Sequence, residues 1–274
     1  MLEARDVSAR FGRAAALRGA SLSARPGELL AIAGPNGAGK STLLACLSGA
    51  MPFEGHASLD GRDPRRLAAD AAARLRAVLE QNPTLGAPFT VRTLAGLAIP
   101  RDLSPAEADD IVAHALAVTG LTAHADRPAT LLSGGERRRA HLARALAQLE
   151  AGRRLGGGRW LLLDEPAANL DPAQAASALR AARAAARAGA GVLAVLHELD
   201  LAAAFADRVA LMSAGRVVAL GPPEEALTPG ILRRVYGLSM KVARIGGALR
   251  VLPDWNDEPA PRGREKGDHE CSSP

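Results

Sequence analysis

Four short apolar runs divide the chain into strand-and-helix units. They lie at Leu29–Ala33 and at residues 160–163, 192–196 and 208–212. None of them alternates apolar with polar residues in the way a half-buried strand does. Strands that are buried on both faces are typical of parallel sheets covered by helices. The sequence therefore predicts an α/β fold with a mainly parallel sheet.

Helical patterns fill the intervals between these runs. One helix is predicted to begin at Ser104, where Pro and Glu follow in capping-box order, and to end at Gly120. Others are predicted over residues 136–149 and 172–189. Because residues 90–149 hold mostly helical patterns, this stretch is interpreted as a helical insert in the core.

The turn after the first apolar run has the composition of a phosphate-binding loop. Residues 34–41 fit G-x-x-x-x-G-K-[ST] and lie between a predicted strand and a helix predicted over residues 41–48. Such a loop turns backbone N–H groups toward phosphate oxygens, and the helix N-terminus adds partial positive charge. Lys40 is one of only three lysines in an arginine-rich chain, which indicates a site that needs a compact charge. The expected ATP ligands are Gly34, Pro35, Asn36, Gly37, Ala38, Gly39, Lys40, Ser41 and Thr42.

Two acidic residues follow the apolar run at residues 160–163. A carboxylate at the end of a buried strand points toward the loops that hold phosphates. Asp164 is therefore expected to bind Mg²⁺ together with Ser41, and Glu165 is expected to polarise the attacking water. Two acids that merely cap the next loop are the structural alternative.

A second predicted helix N-terminus also has the composition of an anion-binding site. Ser133, Gly134 and Gly135 precede a helix that begins near Glu136. A serine hydroxyl at a helix N-terminus can bind an anion, although a simple helix cap has the same composition. Two phosphate-binding helix N-termini lie far apart in one chain. This suggests that two copies of the chain bind each nucleotide between them.

Together these motifs resemble the ATP-binding subunits of ABC transporters. Residues 132–136 match the signature motif of that family, and Gln81 matches its Q-loop. Residues 169–171 resemble its D-loop, which places Asp171 at the nucleotide. His197 matches the switch histidine, and Phe11 matches the aromatic residue that stacks on adenine.

The resemblance implies a P-loop NTPase core of the ABC type over residues 1–253, with the helical subdomain at about 90–149 inside it. Gln81 and His197 would act in hydrolysis beside Glu165, and Gln81 would also reach the Mg²⁺. Two departures stand out: residues 167–168 are Ala-Ala where the family often has Thr-Ser, and Arg138 occurs where Gln is common. Neither position is expected to take part in the chemistry.

The subfamily that these residues resemble most is that of importers for iron chelates, haem and cobalamin. Residues 88–91 and 197–202 fit this group, and residues 150–159 resemble a segment of haem-import ATPases. The resemblance implies a homodimer that joins head to tail around ATP, drives integral membrane permease subunits and serves a substrate-binding protein indirectly. Haem is the expected cargo, and a siderophore or cobalamin is the alternative.

Composition narrows the remaining possibilities. No apolar run approaches the roughly 18 residues of a membrane span, so any membrane role is expected to run through a partner. The resemblance implies a peripheral location on the cytoplasmic face of the inner membrane. A net charge of +5 could indicate nucleic-acid binding. However, aromatic residues, which stack on bases, make up only 3%, and the arginines are scattered along the chain. No nucleic-acid partner is therefore expected. An ABC ATPase acting on DNA or ribosomes, or a nucleotide switch without turnover, remains as a rival. Residues 254–274 are polar and rich in Pro and Gly, so a disordered tail is predicted.

Overall fold

The computed structural model of the protein describes residues 1–81 and 87–256. The predicted disordered tail lies outside these residues from position 257 on. The strands are β1 (Leu2–Phe11), β2 (Ala14–Ala24), β3 (Leu29–Ala33), β4 (Glu54–Leu59), β5 (Arg76–Leu79), β6 (Trp160–Asp164), β7 (Gly191–Val195), β8 (Arg208–Ser213), β9 (Arg216–Gly221), β10 (Met240–Ile245) and β11 (Ala248–Pro253). The helices are α1 (Lys40–Ser48), α2 (Ala69–Leu75), α3 (Val91–Gly96), α4 (Pro105–Val118), α5 (Gly134–Arg154), α6 (Pro172–Arg187), α7 (Leu199–Phe205), α8 (Pro223–Ala226) and α9 (Pro229–Tyr236).

A six-stranded sheet forms the centre of the molecule, in the order β5-β6-β7-β3-β8-β9. Its first five strands are parallel, and β9 pairs antiparallel to β8. Strands β3, β6 and β7 are buried along their whole length because helices or a second sheet cover both faces. The prediction of a mainly parallel α/β core is confirmed.

Two apolar clusters sandwich this sheet. Alternate residues of β3 pack into opposite clusters: Leu29 and Ala31 lie on one side of the sheet, and Leu30 and Ile32 lie on the other. The second cluster also receives α1 and the antiparallel sheet β2-β1-β4, which the sequence analysis did not predict. A two-stranded hairpin, β10-β11, closes the described chain.

The helices α3, α4 and α5 pack around a third apolar cluster, as expected for the helical insert. The capping box at Ser104 is present, and α4 ends just before Gly120. The predicted bounds of α5 were too short: it begins at Gly134, because Ser133 caps it, and continues through Gly152 to Arg154, just before Gly156 turns the chain with φ 80°. The start of the segment at residues 150–159 is therefore the last turn of α5.

Helix α5 joins the insert to the central sheet. One of its faces, with Ala140, Ala143 and Ala147, belongs to the third cluster. Another face, with Leu142 and Leu149, belongs to a cluster that covers the sheet. Helix α5 therefore packs against both the insert and the sheet. No helix in the described part of the chain combines the length and the apolar character that a membrane span requires.

Candidate functional site

Most of the predicted catalytic and phosphate-binding residues converge because they follow neighbouring parallel strands. Carboxyl ends of parallel strands meet at one edge of a sheet, where such folds bind ligands. Along this edge Gln81 follows β5, Asp164 ends β6 with Glu165 directly after it, His197 follows β7, and the phosphate loop follows β3. A cavity of about 720 Å³ opens there, lined by Asn36, Gly37, Lys40, Ser41, Gln81, Glu165 and His197.

The phosphate loop is shaped by its glycines. Gly34 has φ 146°, and any side chain at this position would collide with the backbone of Met212 on β8. Gly39 takes the left-handed conformation, with φ 96°, and leads directly into α1. Only glycine adopts these angles without strain. The loop therefore wraps tightly over the N-terminus of α1, which carries partial positive charge.

Lys40 is buried in this loop, with 5% of its surface exposed. Its Nζ donates hydrogen bonds to the carbonyl oxygens of Gly34, at 2.8 Å, and Pro35, at 3.0 Å. Burial lowers the pKa of Lys40, and the nearby carboxylates of Glu165 and Asp164 oppose this effect. A buried ammonium held by two neutral carbonyls is poised to exchange them for phosphate oxygens.

Ser41 and Asp164 bring hard oxygen donors together at the same place. The Ser41 hydroxyl donates a hydrogen bond to Oδ1 of Asp164 at 2.9 Å. Asp164 is 7% exposed, and burial raises its pKa while the bond from Ser41 opposes that rise. A buried carboxylate of this kind is stabilised by a cation.

Glu165 is the hub of the polar groups in the cavity. Its Oε1 accepts a hydrogen bond from Nε2 of Gln81 at 2.9 Å and lies 2.6 Å from Nε2 of His197. The residue itself is in the left-handed region, with φ 54°, which is unusual for a residue with a side chain. Backbone strain of this kind is often found at functional sites.

Phe11 and Thr42 lie beside the main cavity. They line an adjoining cavity of about 360 Å³ that shares Ser41 and Gln81 with the first. The Phe11 ring is 61% exposed although it is apolar. An exposed ring next to the phosphate loop is suited to stacking on a base.

The signature residues and Asp171 are not among the described residues that line either cavity. Ser133 and Glu136 form a capping box at the start of α5, and Glu136 also lies 3.0 Å from Nε2 of His124. Asp171 caps α6 by accepting a hydrogen bond from the N–H of Gln174 at 2.8 Å. Their roles at a nucleotide remain predictions, because within one chain they lie apart from the phosphate loop's cavities.

One set of contacts at the site was not predicted from the sequence. The guanidinium of Arg138, a residue that is not expected to take part in the chemistry, donates to the carbonyl oxygens of Gln81, Asp164 and Glu165. The only sequence signal was an arginine where the family commonly has glutamine. It carried no positional information, because its partners lie far away along the chain.

Comparison with known proteins fits this geometry. The family profile described as ABC transporter matches residues 17–168, more than half of the chain. This chain belongs to the ABC transporter family. It is an ATP-binding and ATP-hydrolysing member, because the matched region contains both the phosphate loop and the acidic end of β6.

Relatives of known name support a narrower grouping. The chain is 46% identical over 258 residues to the "Hemin import ATP-binding protein HmuV" of Bordetella avium, covering 92% of this chain and 98% of that protein. It is 46% identical over 246 residues to the protein of the same name from Pseudomonas aeruginosa, covering 89% and 95%.

Solved structures share the fold. An ATP-binding subunit of an ABC transporter matches with a TM-score of 0.69 and 26% identity, covering 86% of this chain and 93% of that one. MJ0796, a bacterial ABC transporter cassette solved as a dimer, matches with a TM-score of 0.71 and 24% identity, covering 81% and 99%. The fold class predicted from the sequence is confirmed, namely a P-loop NTPase core of the ABC type with a helical insert.

Proposed function

We propose that this chain is the ATP-hydrolysing subunit of an importer that takes up haem through a membrane permease. The observation that carries the proposal is the Glu165 carboxylate, held by Gln81 and His197 at the cavity that also contains Lys40. The likeness to proteins named for hemin import supports the cargo.

The phosphates of ATP bind over the loop at residues 34–41. Backbone N–H groups and the N-terminus of α1 face them, and Lys40 turns from the carbonyls of Gly34 and Pro35 to the β- and γ-phosphates. Phe11 stacks on the adenine. Binding therefore replaces two neutral acceptors of Lys40 by charged ones, and charge-assisted hydrogen bonds are the stronger kind.

Hydrolysis uses the carboxylate of Glu165. The carboxylate polarises the attacking water and accepts its proton, while Gln81 and His197 hold its Oε1 at 2.9 and 2.6 Å. His197 remains 41% exposed on its side chain and faces the same cavity. It is therefore placed to contact the γ-phosphate as well as the acid.

The residues present also fit a Mg²⁺ ion. Mg²⁺ prefers oxygen ligands and commonly takes one or two from protein, with phosphate and water completing its shell. Ser41 and Asp164 present such oxygens 2.9 Å apart, and the side chain of Gln81 lines the same cavity. When bound, Mg²⁺ would neutralise charge that develops on the phosphates.

A second copy of the chain would complete the site. The signature residues Ser133–Glu136 are exposed or half-buried at the start of α5, away from their own chain's cavity. Head-to-tail pairing brings them to the γ-phosphate held by the partner chain, and Asp171 lies at the same junction. ATP binding then closes the pair, and hydrolysis opens it.

The helical insert would transmit this movement to permease subunits, which hold the chain at the cytoplasmic face of the inner membrane. A substrate-binding protein on the opposite side delivers the cargo. The recognisable site is accounted for by ATP, so the proposal assigns the binding of cargo to the partner proteins and includes no nucleic acid.

Reconstitution tests the proposal. The chain is combined with its permease in vesicles and offered haem, a ferric siderophore or cobalamin, with ATP hydrolysis and uptake as readouts. We expect haem to stimulate hydrolysis and to be taken up. Stimulation and uptake with only a non-haem cargo would overturn the haem assignment and leave the ATPase assignment intact. Salt-sensitive binding of DNA by the chain, without transport, would favour the nucleic-acid rival.

A further inference from the structure

Arg138 lies in the second turn of α5 and points into the end of the central sheet. Its Nε donates to the carbonyl oxygen of Glu165 at 3.1 Å, and one of its terminal nitrogens donates to the carbonyl oxygens of both Asp164 and Glu165. The other terminal nitrogen donates to the carbonyl oxygen of Gln81 and lies 3.4 Å from that of Glu80. One planar fork of donors therefore ties together the ends of β5 and β6.

These carbonyls belong to the backbone that aims the catalytic groups. Glu165 is held at φ 54°, a conformation that persists in a residue with a side chain only when its surroundings impose it. Arg138 fixes the carbonyls on both sides of this turn. It also fixes the backbone of Gln81, whose side chain donates to the Glu165 carboxylate at 2.9 Å. Both partners of that hydrogen bond are thus anchored to one guanidinium.

The same helix carries the signature residues at its start. Gly135 packs closely against the segment that follows Glu165: an added Cβ would come within 3.2 Å of the Leu170 side chain in the loop after β6 and within 3.1 Å of the Gln174 side chain at the start of α6. The first two turns of α5 therefore contact this segment through Gly135 and through the hydrogen bonds of Arg138. One helix thus carries the signature residues, proposed to act on the partner's nucleotide, and also contacts the backbone of Glu165, proposed to act on the chain's own nucleotide.

We propose that Arg138 is a positioning residue for hydrolysis, which holds Glu165 and Gln81 in the productive geometry and couples them to the signature helix. The inference rests on the proposed function, since it assigns Glu165 as the acid of the chain's own site. Glutamine at this position has one amide and cannot donate to all of these carbonyls.

The first test compares Arg138→Gln and Arg138→Lys with the unaltered chain. We expect the turnover number to fall by about 10- to 100-fold in both variants, the cost of slightly misplacing a catalytic group. ATP affinity should be unchanged, because Lys40 and the phosphate loop are untouched. Lys retains the positive charge but lacks the several N–H donors of the guanidinium. Low turnover in Arg138→Lys would therefore show that the hydrogen-bond geometry of Arg138 is required, and not only its charge.

Arg153→Gln is the matched control. It removes the same charge from the exposed far end of the same helix, where Arg153 lies 4.0 Å from the carboxylate of Glu150. Thermal unfolding confirms that each variant is folded. Wild-type turnover in both Arg138 variants would overturn the inference. Absence of hydrolysis in the unaltered chain would instead overturn the proposed function.

The second test asks which site Arg138 serves. Two copies are joined in tandem, with Arg138→Gln and Ser133→Arg placed either in the same copy or in different copies. If Arg138 acts on its own Glu165, lesions in different copies both strike one site and leave the other intact. Lesions in one copy then damage both sites. We expect more hydrolysis when the lesions are in different copies; equal or reversed activities would contradict the inference.

Discussion

His141 is a buried base whose protonation should destabilise the protein. It is 2% exposed in α5, and neither ring nitrogen finds a hydrogen-bond partner among the described residues. Burial lowers its pKa from 6.5 to about 4, with the nearby charges of Arg144, Arg138 and Arg137 acting in the same direction. Since each pH unit is about 1.4 kcal/mol, the difference between folded and unfolded chains is worth about 3 kcal/mol.

The direction of the pH effect on stability follows from which state binds more protons. Between pH 6.5 and about 4 the unfolded chain holds a proton on His141 that the folded chain does not, so acid favours unfolding. Above pH 6.5 both states are neutral, and this contribution is constant. In His141→Leu it disappears, and an unpaired buried polar group is removed as well. The variant should therefore gain stability relative to the unaltered chain as the pH falls.

Urea unfolding at several pH values measures this effect. The free energy of unfolding of His141→Leu minus that of the unaltered chain should be constant above pH 6.5. It should then rise by about 1.4 kcal/mol per pH unit down to about pH 4. His56→Leu, at an exposed position on β4, is the control for loss of a histidine. A difference that does not change with pH would refute the reasoning.

The remaining predictions concern the nucleotide site and the tail. Lys40→Ala should weaken ATP binding by about 10- to 100-fold, since a hydrogen bond to a charged group is worth about 1.5–3 kcal/mol. Nucleotide titration tests this, and unchanged affinity would contradict the assignment of the phosphate loop. Truncation after Pro253 should leave hydrolysis intact, because β11 ends there. A folded but inactive truncated protein would show that the tail contributes to the site.

The central sheet and its site were largely predictable from the sequence. β3 was predicted with its observed bounds, because a run that is apolar at every position has few alternatives to a buried strand. Four of the five parallel strands, β3, β5, β6 and β7, end at or just before candidate site residues, so the order of motifs along the chain also places them at one edge. Glycine spacing and the rare Lys40 then identified the phosphate loop.

The antiparallel sheet could not be predicted in the same way. In β1 the buried residues are Leu2 and Ala4, then Val7 and Ala9, so the alternation changes phase halfway along. Asp6, with φ 52°, marks the irregularity that shifts the register. Because the alternation of apolar and polar residues is interrupted at this bulge, the sequence of β1 does not show the continuous pattern by which a strand is predicted.

The role of Arg138 was hidden for a different reason. Its partners are backbone carbonyls of residues 26 and 27 positions later and of Gln81, 57 positions earlier. A carbonyl is present at every position, so no residue type in the sequence marks these acceptors. Only the packing of α5 against β5 and β6 brings them within reach of one guanidinium.

The proposed mechanism requires Glu165 to activate the attacking water. Glu165→Gln keeps the size of the side chain and removes its charge, so ATP should still bind and the ATP-bound dimer should accumulate. The decisive measurement is single-turnover phosphate release by this variant beside the unaltered chain. A rate at least about 100-fold lower, with unchanged ATP affinity, is the predicted result. Phosphate release at the unaltered rate would show that another group performs this role.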